Sequence, residues 1–249
     1  MKKLKIVLKP VFILFSGLQV TLSILAILIL SSAYLYLITK DLAVSIGLGF
    51  LSSLFAFYHT VFIPKKLQRE QFYLKELQKY ATSMTFYLQG GNNVLQALRA
   101  SKESLDRTIQ KEIEITIDKL EKEAKLDTEH FKKYKFPSID IFHQILRIKY
   151  EVGGNAKELF TKVNQSINFE IVKRDELFRK KNYMKLRVIY MMLMVLSIPL
   201  ILRLFAEQLY DQYLSIGPMA ILTNSILFIA LLISLFFLQK ASADISIQD

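Results

Sequence analysis

The chain is predicted to be an all-α membrane protein, with four transmembrane helices and a helical bundle of about five to six helices between the two pairs. Three observations carry this. Apolar residues make up 52% of the 249 residues and gather into long uncharged runs, with a mean hydropathy of +0.30. The net charge of +11 (33 Lys and Arg against 22 Asp and Glu) must then lie outside those runs. Only eight Gly and five Pro are present, so Gly-rich and Pro-rich architectures are excluded, and no alternating strand pattern appears. With no Cys there is no disulfide framework, thiolate metal site or Cys nucleophile.

A bilayer core of roughly 30 Å needs about 20 helical residues, and four segments reach that length. The first spans residues 11–38. The second, 42–63, follows after only Thr39, Lys40 and Asp41, so the two form a hairpin. The third, 186–205, contains Pro199, which a transmembrane helix tolerates as a kink. The fourth covers 218–238. Met1-Lys2-Lys3-Leu4-Lys5 resembles the start of a signal peptide, but the apolar stretch is nearly twice too long and a second span follows at once, so the helix is expected to be retained. The organisation is therefore a tail and hairpin (1–64), a polar central domain (65–185) and a C-terminal pair with a short tail (186–249). The N-terminal tail carries Lys2, Lys3, Lys5 and Lys9 without an acid, and 65–185 holds 25 basic and 17 acidic residues. The positive-inside rule then places both termini and the central domain in the cytoplasm.

From Leu67 the apolar period becomes that of an amphipathic helix. Leu67, Leu74, Leu77, Ala81, Met84 and Leu88 share one face until Gly90-Gly91 ends it, and Asn92 or Asn93 can cap a second helix bearing Val94, Leu95 and Leu98. A third helix shows Ile113, Ile117, Leu120 and Ala124 on one face. Lys132 to Pro137 interrupts the pattern. A fourth helix offers Ile139, Phe142, Leu146 and Tyr150 to the core and stops at Gly153-Gly154. Asn155 followed by Glu158 has capping-box spacing. A fifth helix runs through Leu159, Val163 and Ile167 and is expected to continue into the third span. Two helices thus end at Gly-Gly-Asn, and two such αα-hairpins packed together make most of a bundle.

The chain carries no sign of catalysis. It lacks a phosphate-binding loop, a dinucleotide fingerprint, H-E-x-x-H, G-x-S-x-G and an EF-hand loop. His59, His130 and His143 are too dispersed for a local metal motif; the first is read as interfacial and the other two as solvated or partly buried. Glu151 and Glu158 flank the second corner and could be an acid–base or cation-binding pair, although a cap and a surface charge explain them better. Arg187 and Arg203 lie near span ends, where they can snorkel. Gly49 and Ser53 form a small-xxx-small pair. The clusters Lys132-Lys133-Lys135 and Arg179-Lys180-Lys181 raise nucleic-acid binding, but the second precedes a span, where anionic membrane lipid and topology explain it, so no specific nucleic-acid partner is expected.

The stretch Leu88-Gln89-Gly90-Gly91-Asn92-Asn93-Val94-Leu95-Gln96-Ala97-Leu98, preceded by Leu77 and Met84, resembles the first half of the type II secretion system protein F domain. Phe142, Leu146 and Tyr150-Glu151-Val152-Gly153-Gly154-Asn155-Ala156-Lys157-Glu158-Leu159 resemble its second half. The similarity covers residues 70–205. One domain between two pairs of spans is similar to the short, Tad pilus-type branch. The resemblance implies a non-enzymatic platform in the bacterial cytoplasmic membrane, without cofactor or metal. It would couple a hexameric cytoplasmic ATPase to pilin or pseudopilin subunits, with a second copy or a paralogous F-domain protein supplying the domain that longer members carry. Gly90, Gly91, Leu95, Ala97 and Leu98, and Glu151, Gly153, Gly154, Asn155, Glu158 and Leu159, would be its structural corners. The competing expectation is a membrane-anchored helical scaffold or signalling protein unconnected to a filament.

Overall fold

The structure is a computed structural model that describes residues 15–153 and 157–243. Among these residues every regular element is helical and no strand occurs. In chain order they are α1 (Gly17–Thr39), α2 (Leu42–Ala56), a π-helical segment (Phe57–Phe62), α3 (Ile63–Gln89), α4 (Val94–Lys102), α5 (Arg107–Glu123), a 3₁₀ segment (Glu129–Tyr134), α6 (Pro137–Glu151), α7 (Lys157–Phe205), α8 (Glu207–Ser215) and α9 (Pro218–Ala243). Four helical runs are long and apolar enough to cross a membrane: Gly17–Thr39, Leu42–Gln89, Lys157–Phe205 and Pro218–Ala241. The chain divides into two compact units, a span unit of residues 1–67 and 178–249 and a central unit, Gln68–Leu177.

In the central unit the expected face is buried as one row, with Leu74, Leu77, Ala81, Met84 and Leu88 packed against α4, α5, α6 and α7 in a single apolar core. Ile109, Ile113, Ile117 and Leu120 enter from α5, Ile139, Phe142 and Leu146 from α6. Pro137 opens α6 at its first turn, where its missing N–H costs nothing, and Lys135 takes a left-handed conformation to bring the chain there. Three core expectations are corrected. The buried row of α7 is Phe160, Val163, Ile167 and Ile171, so Leu159 lies about 100° off it and is exposed. Ala124 is the left-handed cap that ends α5 (φ 52°), which turns it out to solvent. Tyr150 is 38% exposed and sends its hydroxyl to the Ala124 carbonyl (3.2 Å) instead of entering the core.

The span unit is built on the opposite plan. Leu18, Leu22, Leu25, Leu30, Leu193 and Met194 point outward, while Ser45, Gly49, Ser52 and Ser53 are buried between helices. Lys40, left-handed at φ 53°, ends α1, and the Asp41 carboxylate accepts the Val44 N–H (2.9 Å) to start α2. That is the hairpin expected from Thr39-Lys40-Asp41. The helix that carries the second span does not stop near residue 63 but runs on as one helical stretch to Gln89. The π-helical turn ends at Phe62, two residues before Pro64. Its wider winding accommodates a residue that lacks an amide donor and would crowd an α-helical turn. Helix α7 likewise runs unbroken for 49 residues through Pro199, about 73 Å at 1.5 Å per residue.

Candidate functional site

The first corner is built by two glycines with different tasks. Gly91 adopts φ +92°, a conformation that other residues enter only with strain. From there its N–H reaches the Leu88 carbonyl (3.3 Å) and the Asn92 N–H reaches the Tyr87 carbonyl (3.1 Å). These two bonds close a Schellman motif over α3. Gly90 has no positive φ, and a Cβ there would meet the Tyr87 carbonyl at 3.4 Å, an ordinary contact. The next helix starts at once. Asn93 accepts the Gln96 N–H (2.8 Å), and the Gln96 side chain accepts the Asn93 N–H (3.2 Å), a reciprocal capping box. Ala97 and Leu98 are fully buried, and Leu95 packs at the margin of the same core.

At the second corner Gly153 is the positive-φ residue (+76°), and its N–H reaches the Lys149 carbonyl (3.2 Å). Gly154 and Asn155 lie outside the described residues, as does any cap that Asn155 would form with Glu158. Glu151 ends α6, Glu158 sits in the first turn of α7, and both are exposed. A carboxylate at a helix N-terminus is favoured by the helix dipole, which accounts for Glu158.

The central unit also encloses polar groups, one of them more deeply than the solvated or partly buried position expected for it. His143 is 4% exposed, and neither ring nitrogen has a hydrogen-bond partner. Its ring lies 4.7 Å from that of Phe131 and 5.8 Å from that of Tyr80. Burial, with the charges of His130 and Arg147 nearby, pushes the imidazole down to about 3, so it is neutral at neutral pH. It falls on the α6 face one residue after Phe142, within the arc that the core occupies, which is the signal that could have found it. His130 is partly buried and donates through Nε2 to the Glu112 carbonyl (2.9 Å), and Lys133 pairs with the Glu112 carboxylate. Lys119 and the Glu129 N–H hold Asp127 down at about 2. Among the described residues no group of three His, Cys, Asp or Glu side chains could hold a metal ion.

In the span unit, polar groups seal helix ends. The Ile38 carbonyl, in the last turn of α1, accepts from the Tyr210 hydroxyl (2.9 Å) and from Asn224 (3.0 Å). Asp211 of α8 gathers Lys40 (3.1 Å) and Arg203, so Arg203 is held by a salt bridge. His59, expected at an interface, is 6% exposed within the π-helical turn and surrounded by Phe55 and Phe236; Gln239 donates to its carbonyl. The wider turn thereby leaves the His59 carbonyl free to accept from outside its own helix. The small-xxx-small pair is buried: Gly49 lies so close to Ser32 that an added Cβ would fall 2.1 Å from Ser32 Oγ and 3.2 Å from its Cα.

Comparison of the chain with protein-family models, curated proteins and solved structures finds no match.

Proposed function

We propose that this chain is a platform protein of a type IV filament, of the Tad pilus kind, or of a type II secretion-like machine. It would sit in the bacterial cytoplasmic membrane with both termini and the central unit in the cytoplasm, and pass the motion of a hexameric ATPase to pilin or pseudopilin subunits. It has no catalytic role in this reading. The observation that carries it is the first corner. Gly91 closes a Schellman motif and Asn93 a capping box between two buried helices, in a central unit flanked in sequence by two pairs of membrane-length helices. The order and spacing of the corner residues are those that resemble the protein F domain. The unbroken α7 supports a mechanical role, because a single helix carries residues of both the central domain and the third span.

In this reading a second copy or a paralogous partner completes the platform. In-cell cross-linking of a tagged copy, followed by detergent purification and mass spectrometry, tests this. Recovery of a hexameric secretion ATPase together with a second F-domain protein is the expected result. Recovery of neither, in cells expressing the filament genes, overturns the reading in favour of a membrane-anchored scaffold or signalling protein. The mechanical element is tested by inserting Gly-Gly after Asn182. Filament assembly should be lost while membrane insertion is kept, and normal assembly would refute the link.

A further inference from the structure

The chain's positive charge is concentrated in one place. The central unit, Gln68–Leu177, holds 19 basic and 17 acidic residues and is close to neutral. Its bases are largely matched by carboxylates, as in Lys75–Asp175 (2.9 Å), Lys102–Glu114 (3.1 Å) and Arg174–Glu170 (2.6 Å). The span unit holds 14 basic and only 5 acidic residues. Three of its acids, Asp41, Glu207 and Asp211, stand in the connections that follow the first and third spans, with Lys40 beside them and Arg203 in the last turn of α7. The other ends of the same spans carry no acid at all. Residues 42–69 and 177–206 contain no Asp or Glu, yet include Lys65 and Lys66 on α3 and Arg179, Lys180, Lys181, Lys185 and Arg187 on α7.

The five α7 residues have a distinctive arrangement. At 100° per residue they fall on every side of the helix, not along one stripe. They occupy about 12 Å of its axis, enough to cross a headgroup layer of about 5–7 Å and reach the adjoining water. Arg179, Lys180 and Arg187 are exposed, and Tyr183 and Met184 between them are 70% and 60% exposed. An exposed tyrosine among bases at a span end suits the bilayer interface, where ring and hydroxyl meet different environments. A protein docked on α7 would need a one-sided stripe. A ring of charge on a helix entering a bilayer matches a layer that surrounds it.

We infer that Arg179, Lys180, Lys181, Lys185 and Arg187, with Lys65 and Lys66, form a collar that selects anionic phospholipid headgroups around the span unit. This rests on the helices crossing a bilayer and not on any role in filament assembly. Each basic residue near an anionic surface strengthens its attraction about fivefold, and the attraction is screened by salt. The collar therefore enriches anionic lipid at the protein boundary well beyond its share of the membrane.

The test uses the full-length protein reconstituted in phosphatidylcholine bilayers with a trace of spin-labelled lipid, read by electron paramagnetic resonance. Spin-labelled phosphatidylglycerol should be motionally restricted several-fold more than spin-labelled phosphatidylcholine. That preference should vanish in 1 M salt and in the variant carrying R179Q, K180Q, K181Q, K185Q and R187Q. A variant with the same loss of charge in the central unit (K111Q, K122Q, K125Q, K149Q and K162Q) should keep it. Equal restriction of the two lipids by the wild-type protein overturns the collar, whatever the variants do. A preference lost equally in the central-unit variant assigns it to net charge and overturns it too. Inorganic phosphate at millimolar concentration should not displace the lipid; displacement would mean a free-phosphate site instead.

Discussion

The two units solve opposite problems with the same helices. The central unit buries Tyr80, Phe131, Phe142 and Phe160 in one apolar core and spreads paired charges over its outside. The span unit buries Ser45, Ser52, Ser53, Asn224 and Gln239 and turns Leu, Ile and Phe outward. Water drives the first arrangement, since each buried apolar side chain gains about 1.5–3 kcal/mol. Apolar side chains gain nothing from clustering when the surroundings are equally apolar. The span helices are then held by close approach at small residues and by bonds that satisfy their end carbonyls. The same substitution should therefore have different consequences in the two units.

The largest effect is expected for Phe142→Ala, which empties the middle of the central core and should cost about 3–5 kcal/mol. Hydrogen exchange of α3, α5 and α6 amides would show it, with α1 and α9 unaffected; loss of protection in both units would mean that they do not fold independently. Acid should act next, and on the central unit through His143. Because the native His143 stays neutral down to about 3 while the unfolded chain binds a proton near 6.5, the unfolded state holds more protons between those values. Stability then falls as pH drops through this window, by up to about 1.4 kcal/mol per pH unit. Asp127, held at about 2 against an ordinary 3.8, continues the loss at lower pH. His143→Phe should flatten the acid slope between 6.5 and 3, and an unchanged slope would show that the ring is not buried as described.

In the span unit, Gly49→Ala should cost about 1–3 kcal/mol by pushing α2 off Ser32, although it adds only a methyl group. Thermal unfolding in detergent, compared with Gly47→Ala, where nothing lies within 4 Å, would isolate the effect of close approach. The smallest difference should lie within the corner itself. Gly91→Ala must adopt a left-handed conformation and should cost about 1–2 kcal/mol, while Gly90→Ala should be near neutral or slightly stabilising. Equal costs at the two positions would contradict the division of labour drawn from the Schellman motif.

The four spans and the buried row Leu74 to Leu88 were legible because each rests on a repeated signal, either about 20 residues of hydrophobicity or about four turns of one period. The corner was legible as a pair of glycines, but only backbone geometry separates Gly91 from Gly90. Leu159 was misplaced because its spacing to Val163 and Ile167 fits a buried row as well as that of Phe160 does, and four-residue steps alone cannot choose between adjacent faces. His143 was read as solvated or partly buried, and only the packed core shows how completely it is enclosed beside Phe142. Continuity of α2 into α3 was hidden by Pro64, whose usual effect on a helix is avoided by a π-helical turn that leaves no local signature. The polar contacts of Tyr210, Asn224 and Gln239 join residues about 170–190 positions apart and have no periodicity to reveal them.

The proposed topology puts the central unit and the short helix α8 on opposite sides of one membrane. The chain's lack of cysteine makes that directly measurable. Single Ser104→Cys and Ser215→Cys variants, both at exposed positions, would be treated in intact cells with a membrane-impermeant maleimide. Labelling of Ser215→Cys in intact cells, with Ser104→Cys labelled only after lysis, is the predicted result. Labelling of Ser104→Cys in intact cells would contradict the account.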